Sequence, residues 1–143
     1  MKSFLFLFLL VVFFSSCGTT GHILFYNFSQ SKYDVEKDIL HVINKNTDHK
    51  VSEKWKDCGK GDYFERIYVY FISDSEELYQ IGFVGNSKDW NASPTCRLGL
   101  IAQYDGNIWR YESDLSRKEI GRITKRFEQE VLSKLQLNYY KSE

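Results

Sequence analysis

The chain has 143 residues, of which 17% are aromatic and 27% charged, with a single proline. That length supports one domain with one core and excludes two ordinary ones, and the wealth of aromatics excludes disorder as a description of the whole. Nineteen Lys and Arg balance nineteen Asp and Glu, which excludes a strongly basic nucleic-acid binder, so nucleic acid is not an expected partner.

At the N-terminus, Met1-Lys2-Ser3 leads into an unbroken apolar run from Phe4 to Phe14, followed by Ser15-Ser16-Cys17-Gly18. One positive charge, a short apolar stretch and small residues make a secretory leader. At about 1.5 Å per residue the run covers roughly half of a ~30 Å hydrocarbon core, so it does not span a membrane. Phe14-Ser15-Ser16-Cys17-Gly18 resembles the lipobox of bacterial lipoproteins, in the Phe- and Ser-rich form associated with the Bacteroidetes group. It departs at Phe14, where many lipoboxes carry leucine, and it covers only about the first eighteen residues. The resemblance implies removal of residues 1–16 and acylation of Cys17 by palmitate-type chains. It implies an outer-membrane, lipid-anchored protein with no cofactor beyond that covalent lipid. Gly18-Thr19-Thr20-Gly21 lacks the acidic residues that mark surface export in such lipoproteins, which implies a periplasm-facing domain. Several acyl chains anchor stably where a single one does not.

Cys58 and Cys96 are the only other cysteines, and in an exported protein two remaining cysteines are expected to pair. Closing that loop would contribute roughly 4 kcal/mol in the chain-entropy model. No Cys-x-x-Cys is present, and His22, His41 and His49 show no ligand spacing, so no metal site is expected.

Residues His22 to Phe28 are apolar and aromatic, which suits a strand or a strap across the core. Ser31 caps an expected helix from about Lys32 to Asn46, with Val35, Ile39, Val42 and Ile43 at helical spacing. Thr47 to Asp62 reads as a long polar loop carrying Trp55. Strands are expected over Tyr63–Ile72, Leu78–Val84, Arg97–Tyr104 and Ile108–Tyr111. Ser73 to Glu77 forms a solvated turn, and Gly85 to Thr95 a polar loop with Trp90, Asn91 and Pro94. Asp105-Gly106-Asn107 closes a hairpin. Ser116-x-x-Glu119 is a capping box opening a helix to about Leu137, with Ile120, Ile123, Phe127, Val131 and Leu135 as its apolar stripe. The expected fold is α+β: a four-stranded antiparallel meander with an N-terminal and a C-terminal helix packed on one face. Residues 1–16 are the leader, 17–30 a lipidated tether and apolar strap, and 31–143 the single domain.

No catalytic residue stands out. There is no Gly-x-Ser-x-Gly elbow, no phosphate loop and no metalloprotease signature, and His41 reads as a surface residue. Gly82 inside a strand points to close packing or a bulge. Candidate binding residues are Trp90, Asn91 and Trp55, because exposed tryptophans dominate interface hot spots. Trp90 is equally compatible with folding back as a lid on the core. Lys118, Arg122 and Arg126 share a face of the last helix, a candidate membrane-facing basic stripe that Glu119, Glu128 and Glu130 would offset. The expected function is that of a lipid-anchored, periplasm-facing, non-catalytic binding or assembly module of the cell envelope. Its partners would be the membrane, through the lipid, and an envelope protein. The alternatives are a small envelope hydrolase or cell-wall-active enzyme, and binding of an apolar ligand or glycan on the aromatic sheet.

Overall fold

The computed structural model describes residues 21–45, 66–71 and 77–142. The leader, Cys17, Trp55 and Cys58 lie outside these residues. In chain order the elements are β1 (Leu24–Phe28), α1 (Lys32–Lys45), β2 (Arg66–Phe71), β3 (Glu77–Phe83), α2 (Ser87–Ala92), β4 (Cys96–Tyr104), β5 (Trp109–Arg110), α3 (Arg117–Glu130) and β6 (Tyr139–Ser142). Short 3-10 turns occupy Glu112–Asp114 and Leu132–Lys134.

Among the described residues the fold is mixed α+β, built on an antiparallel sheet with three helices. Consecutive pairing of β2, β3, β4 and β5 follows the expected order, but the sheet is not a four-stranded meander. It has six strands, in the order β2-β3-β4-β1-β6, with β5 also on β4. The aromatic segment His22 to Phe28 supplies an interior strand: Tyr26 pairs with Leu98 and Lys141, and Phe28 with Cys96 and Tyr139. Tyr26 and Phe28 are 0% and 2% exposed, so this segment is core rather than a strap over it.

The last strand was hidden by the helix before it. α3 ends at Glu130, seven residues short of the expected stop, and Val131 caps it at φ −118°, ψ −65°. The 3-10 turn that follows keeps Val131, Leu132 and Leu135 buried. The apolar spacing therefore runs on past the end of the α-helix, and the chain turns back as β6.

Residues directly opposite on paired strands share a face of the sheet. Tyr26, Leu98 and Phe83 form one such row across β1, β4 and β3. The Phe127 ring of α3 lies 5.6 Å from that of Tyr26, and Lys32 of α1 lies 5.5 Å from the Phe83 ring. Both long helices thus pack on this one face. The neighbouring row, Phe25, Gly99 and Gly82, belongs to the other face. A Cβ on Gly99 would stand 3.3 Å from the Phe25 ring, and a one-residue register shift falls between Gln80 and Ile81, beside Gly82. Both strand glycines therefore sit where the sheet is tightly packed or irregular.

Candidate functional site

β1 gives the domain two ends. At its start, a Cβ on Gly21 would stand 3.1 Å from Glu112 Oε2, so the chain comes into β1 beside the 3-10 turn that precedes α3. At its finish, Phe28 leads to a cleft of about 360 Å³. Five residues at about 3.4 Å each put these ends roughly 17 Å apart. The cleft gathers residues from β1, the β3–α2 connection, α2, β4 and β6, among them Asn27, Val84, Trp90, Cys96, Arg97 and Tyr140. Two larger hollows lie along the outer surface of α1, one of them lined by Asp38, His41, Lys45 and Lys134.

The expected polar loop around Trp90 contains the short helix α2. Asn86 caps it through the backbone N–H groups of Lys88 and Asp89, and the Asp89 carboxylate accepts from the Asn86 backbone N–H. This is a capping box with Asp in place of Glu. Gly85, at φ 111°, makes the turn that a side chain would strain, and it lets the indole fold under. Trp90 Nε1 donates to Val84 O at 2.9 Å, and the ring packs against the core. Trp90 is thus the lid that the sequence permitted, with one face left to the cleft. Asn91 is held from outside, accepting from the Tyr33 hydroxyl at 2.8 Å.

Beneath Trp90 lies a buried cation. Lys32 is 2% exposed, with Nζ 4.8 Å from the Trp90 ring centre, 5.0 Å from Tyr33 and 5.5 Å from Phe83. Glu36 neutralises it at 2.7 Å, one helical turn on. A lysine buried among aromatic faces and paired with a carboxylate satisfies both conditions that make a buried charge tolerable. Its field reaches the buried Cys96, which forms no disulfide among the described residues. Burial pushes that thiol up to about 12, although Lys32 acts to lower it. Because Cys58 lies outside the described residues, a Cys58–Cys96 bond stays a proposal.

On the rim, Tyr140 is 67% exposed. Asn27 Nδ2 donates to Ser142 Oγ at 2.9 Å, and Arg97 reaches the same oxygen at 3.3 Å. The Arg97 guanidinium lies 3.6 Å over the Phe25 ring. The cleft therefore offers aromatic faces, amide and hydroxyl groups, with Arg97 and Asp89 of opposite charge.

Among the described residues, no three His, Cys, Asp or Glu side chains are close enough to hold a metal ion, and no helix is long and apolar enough to cross a membrane.

The basic stripe of α3 is divided by the structure. Arg122 and Arg126 converge on Glu77, at 2.6 and 2.7 Å. Glu77 is 5% exposed and also accepts from Tyr79 and Gln103, so the corner expected to be solvated is buried at this residue. Burial acts to raise the Glu77 carboxyl, but the hydrogen bond and charge of Arg122, with the hydrogen bonds from Arg126 and the Tyr79 hydroxyl, outweigh it and hold the carboxyl below its ordinary value. Lys118 stays exposed.

Two residues central to this geometry, Lys32 and Glu77, were missed in the sequence although both carry a signal. Lys32, Val35 and Ile39 follow the 3, 4 helical spacing, which puts the lysine on the apolar stripe. Glu77 precedes Tyr79, Ile81 and Phe83 by strand alternation, which puts it on the core face.

No family model matches the chain, and neither does any curated protein or solved structure.

Proposed function

We propose that the chain is a lipid-anchored, periplasm-facing, non-catalytic module of the cell envelope, and that its distal cleft receives a protein partner. The observation that carries this reading is the placement of tether and cleft at opposite ends of β1. Leu24 stands seven residues after Cys17, so the anchor lies within about 25 Å of the sheet. An acylated Cys17 would hold the Gly21 end at the bilayer, with Trp90 and Tyr140 at the other end of β1. The leader and its lipobox-like junction supply the anchor, and the aromatic and amide groups of the cleft suit a protein contact.

A photo-crosslinking residue placed at Tyr140 in the native host tests the reading, with one at Ile108 as reference. Both positions are exposed, at 67% and 57%, so neither replacement disturbs the core. The expected result is a discrete protein adduct from position 140 that is absent from position 108, in cells where Cys17 is acylated. Equal, diffuse labelling from both positions, or Cys17→Ser protein that still fractionates with membranes, overturns it.

A further inference from the structure

We propose that the exposed crest of α3, formed by Lys118, Arg122 and Lys125, lies on an anionic lipid surface. The proposal rests on the lipid-anchor reading and adds an orientation to it.

Three observations converge. The first is the fate of the helix's own carboxylates. Each of the three has a partner: Glu119 pairs with Arg110 at 2.7 Å, Glu128 with the Tyr26 hydroxyl and Lys141 at 3.2 Å, and Glu130 with Arg126 on the helix itself at 2.9 Å. None of them pairs with Lys118 or Lys125. The second is the character of the crest itself. Lys118, Gly121, Arg122, Lys125 and Gln129 are all exposed, and a Cβ on Gly121 would meet nothing within 4 Å. Lys118 and Lys125 form no ion pair among the described residues, and Arg122 keeps half of its side chain exposed while it holds Glu77. Lys118 and Lys125 thus carry the unpaired positive charge of the crest, of the kind a headgroup layer attracts, with Glu112 and Asp114 exposed in the turn before α3.

The third observation is where the tether ends. Gly21 packs beside Glu112, five residues before the first residue of α3. Gly21 stands four residues after Cys17, a reach of at most about 14 Å. α3 is about 21 Å long. A lipidated Cys17 therefore brings the amino end of α3 to the headgroups, and the cationic crest begins there.

The test uses the full mature chain, purified from membranes in detergent and reconstituted into liposomes, either of neutral phosphatidylcholine alone or with phosphatidylglycerol added. A membrane-impermeant amine reagent then reports each lysine by peptide mass. In the anionic vesicles, labelling of Lys118 and Lys125 should fall about fivefold relative to Lys88, which sits on α2 at the cleft end. Salt at about 0.5 M should restore it, because the attraction is screened. Lys118→Glu should raise Lys125 labelling toward its value on neutral vesicles. Equal labelling on both vesicle types, with the chain floating on each, overturns the α3 contact and leaves the anchor intact. A chain with unmodified Cys17 that does not float with either vesicle overturns the anchor and this orientation together.

Discussion

Arg126 Nη1 lies 2.7 Å from Glu77 Oε2, joining α3 to the start of β3 across 49 residues of sequence. The guanidinium also lies 4.6 Å over the Phe71 ring on the adjacent strand. Arg122 completes the arrangement with two bonds to the same carboxylate, at 3.1 and 2.6 Å. The carboxylate is 6% exposed in its side chain, Arg126 17% and Arg122 50%. Removing the acid leaves a buried guanidinium without its counter-charge, the costly way to break an ion pair. Glu77→Ala should lose about 3 kcal/mol of stability. Arg126→Ala should lose more than Arg122→Ala, for which about 1 kcal/mol is expected because solvent already reaches it. Urea midpoints for the three variants check the order.

The same carboxylate makes stability depend on pH. Its native pKa is held below the ordinary value, so the unfolded chain takes up a proton more readily than the native one. The stabilisation is complete above the unfolded value of about 4.3 and is lost as pH falls from there through the native pKa. Thermal midpoints measured from pH 7 down to pH 3 should drop more steeply for the parent than for Glu77→Gln, which cannot titrate. Parallel curves would show that other carboxylates set the acid limit.

The limits of the sequence reading follow from what each element depends on. α1 and the start of α3 announced themselves because caps and spacing are local: Ser31 Oγ accepts from the Asp34 backbone N–H at 3.3 Å, and the Ser116–Glu119 box closes as expected. The turn at Asp105-Gly106-Asn107 did so as well, with Gly106 at φ 93°. The position of β1 is not local. Its aromatic alternation fits an edge, a strap or a central strand, and only β4 on one side and β6 on the other decide. The end of α3 was misplaced because Val131 and Leu135 stay buried in a tighter turn, which preserves the spacing while ending the helix. Trp90 lay undecided between lid and contact because its indole partner, the Val84 carbonyl, is a backbone group that no residue type marks.

Cys96 should behave as an inert thiol whenever it is unbonded. It is 9% exposed and its pKa is pushed up to about 12, so almost no thiolate forms at neutral pH. In leaderless protein made in a reducing cytoplasm, iodoacetamide should modify Cys96 only in denaturant. Exported protein should instead yield a Cys58–Cys96 peptide on non-reducing mapping. Two free thiols in native envelope material would end the disulfide proposal, and rapid alkylation of Cys96 in the folded leaderless protein would contradict its burial.

The phase of α3 is the most direct test of the packing. Phe127 is fully buried, with its ring against Tyr26, and Ile123 and Val131 are buried one turn to either side. Cutting a buried phenylalanine to alanine removes transfer energy and leaves a cavity, about 3–5 kcal/mol in total. A domain of this size holds only about 5–15 kcal/mol. Phe127→Ala should therefore leave it marginal or unfolded. Arg122 is half exposed, but its bonds to Glu77 rule it out as a wet-side control. Lys125 serves instead: it is exposed and has no ion pair among the described residues, and Lys125→Ala should change stability by no more than about 0.5 kcal/mol. Arg122→Ala should fall between the two. Denaturant midpoints for the three variants give the order Phe127, Arg122, Lys125. If Lys125→Ala proved more damaging than Arg122→Ala, the helix would be rotated toward its crest, burying the cationic face assigned here to lipid.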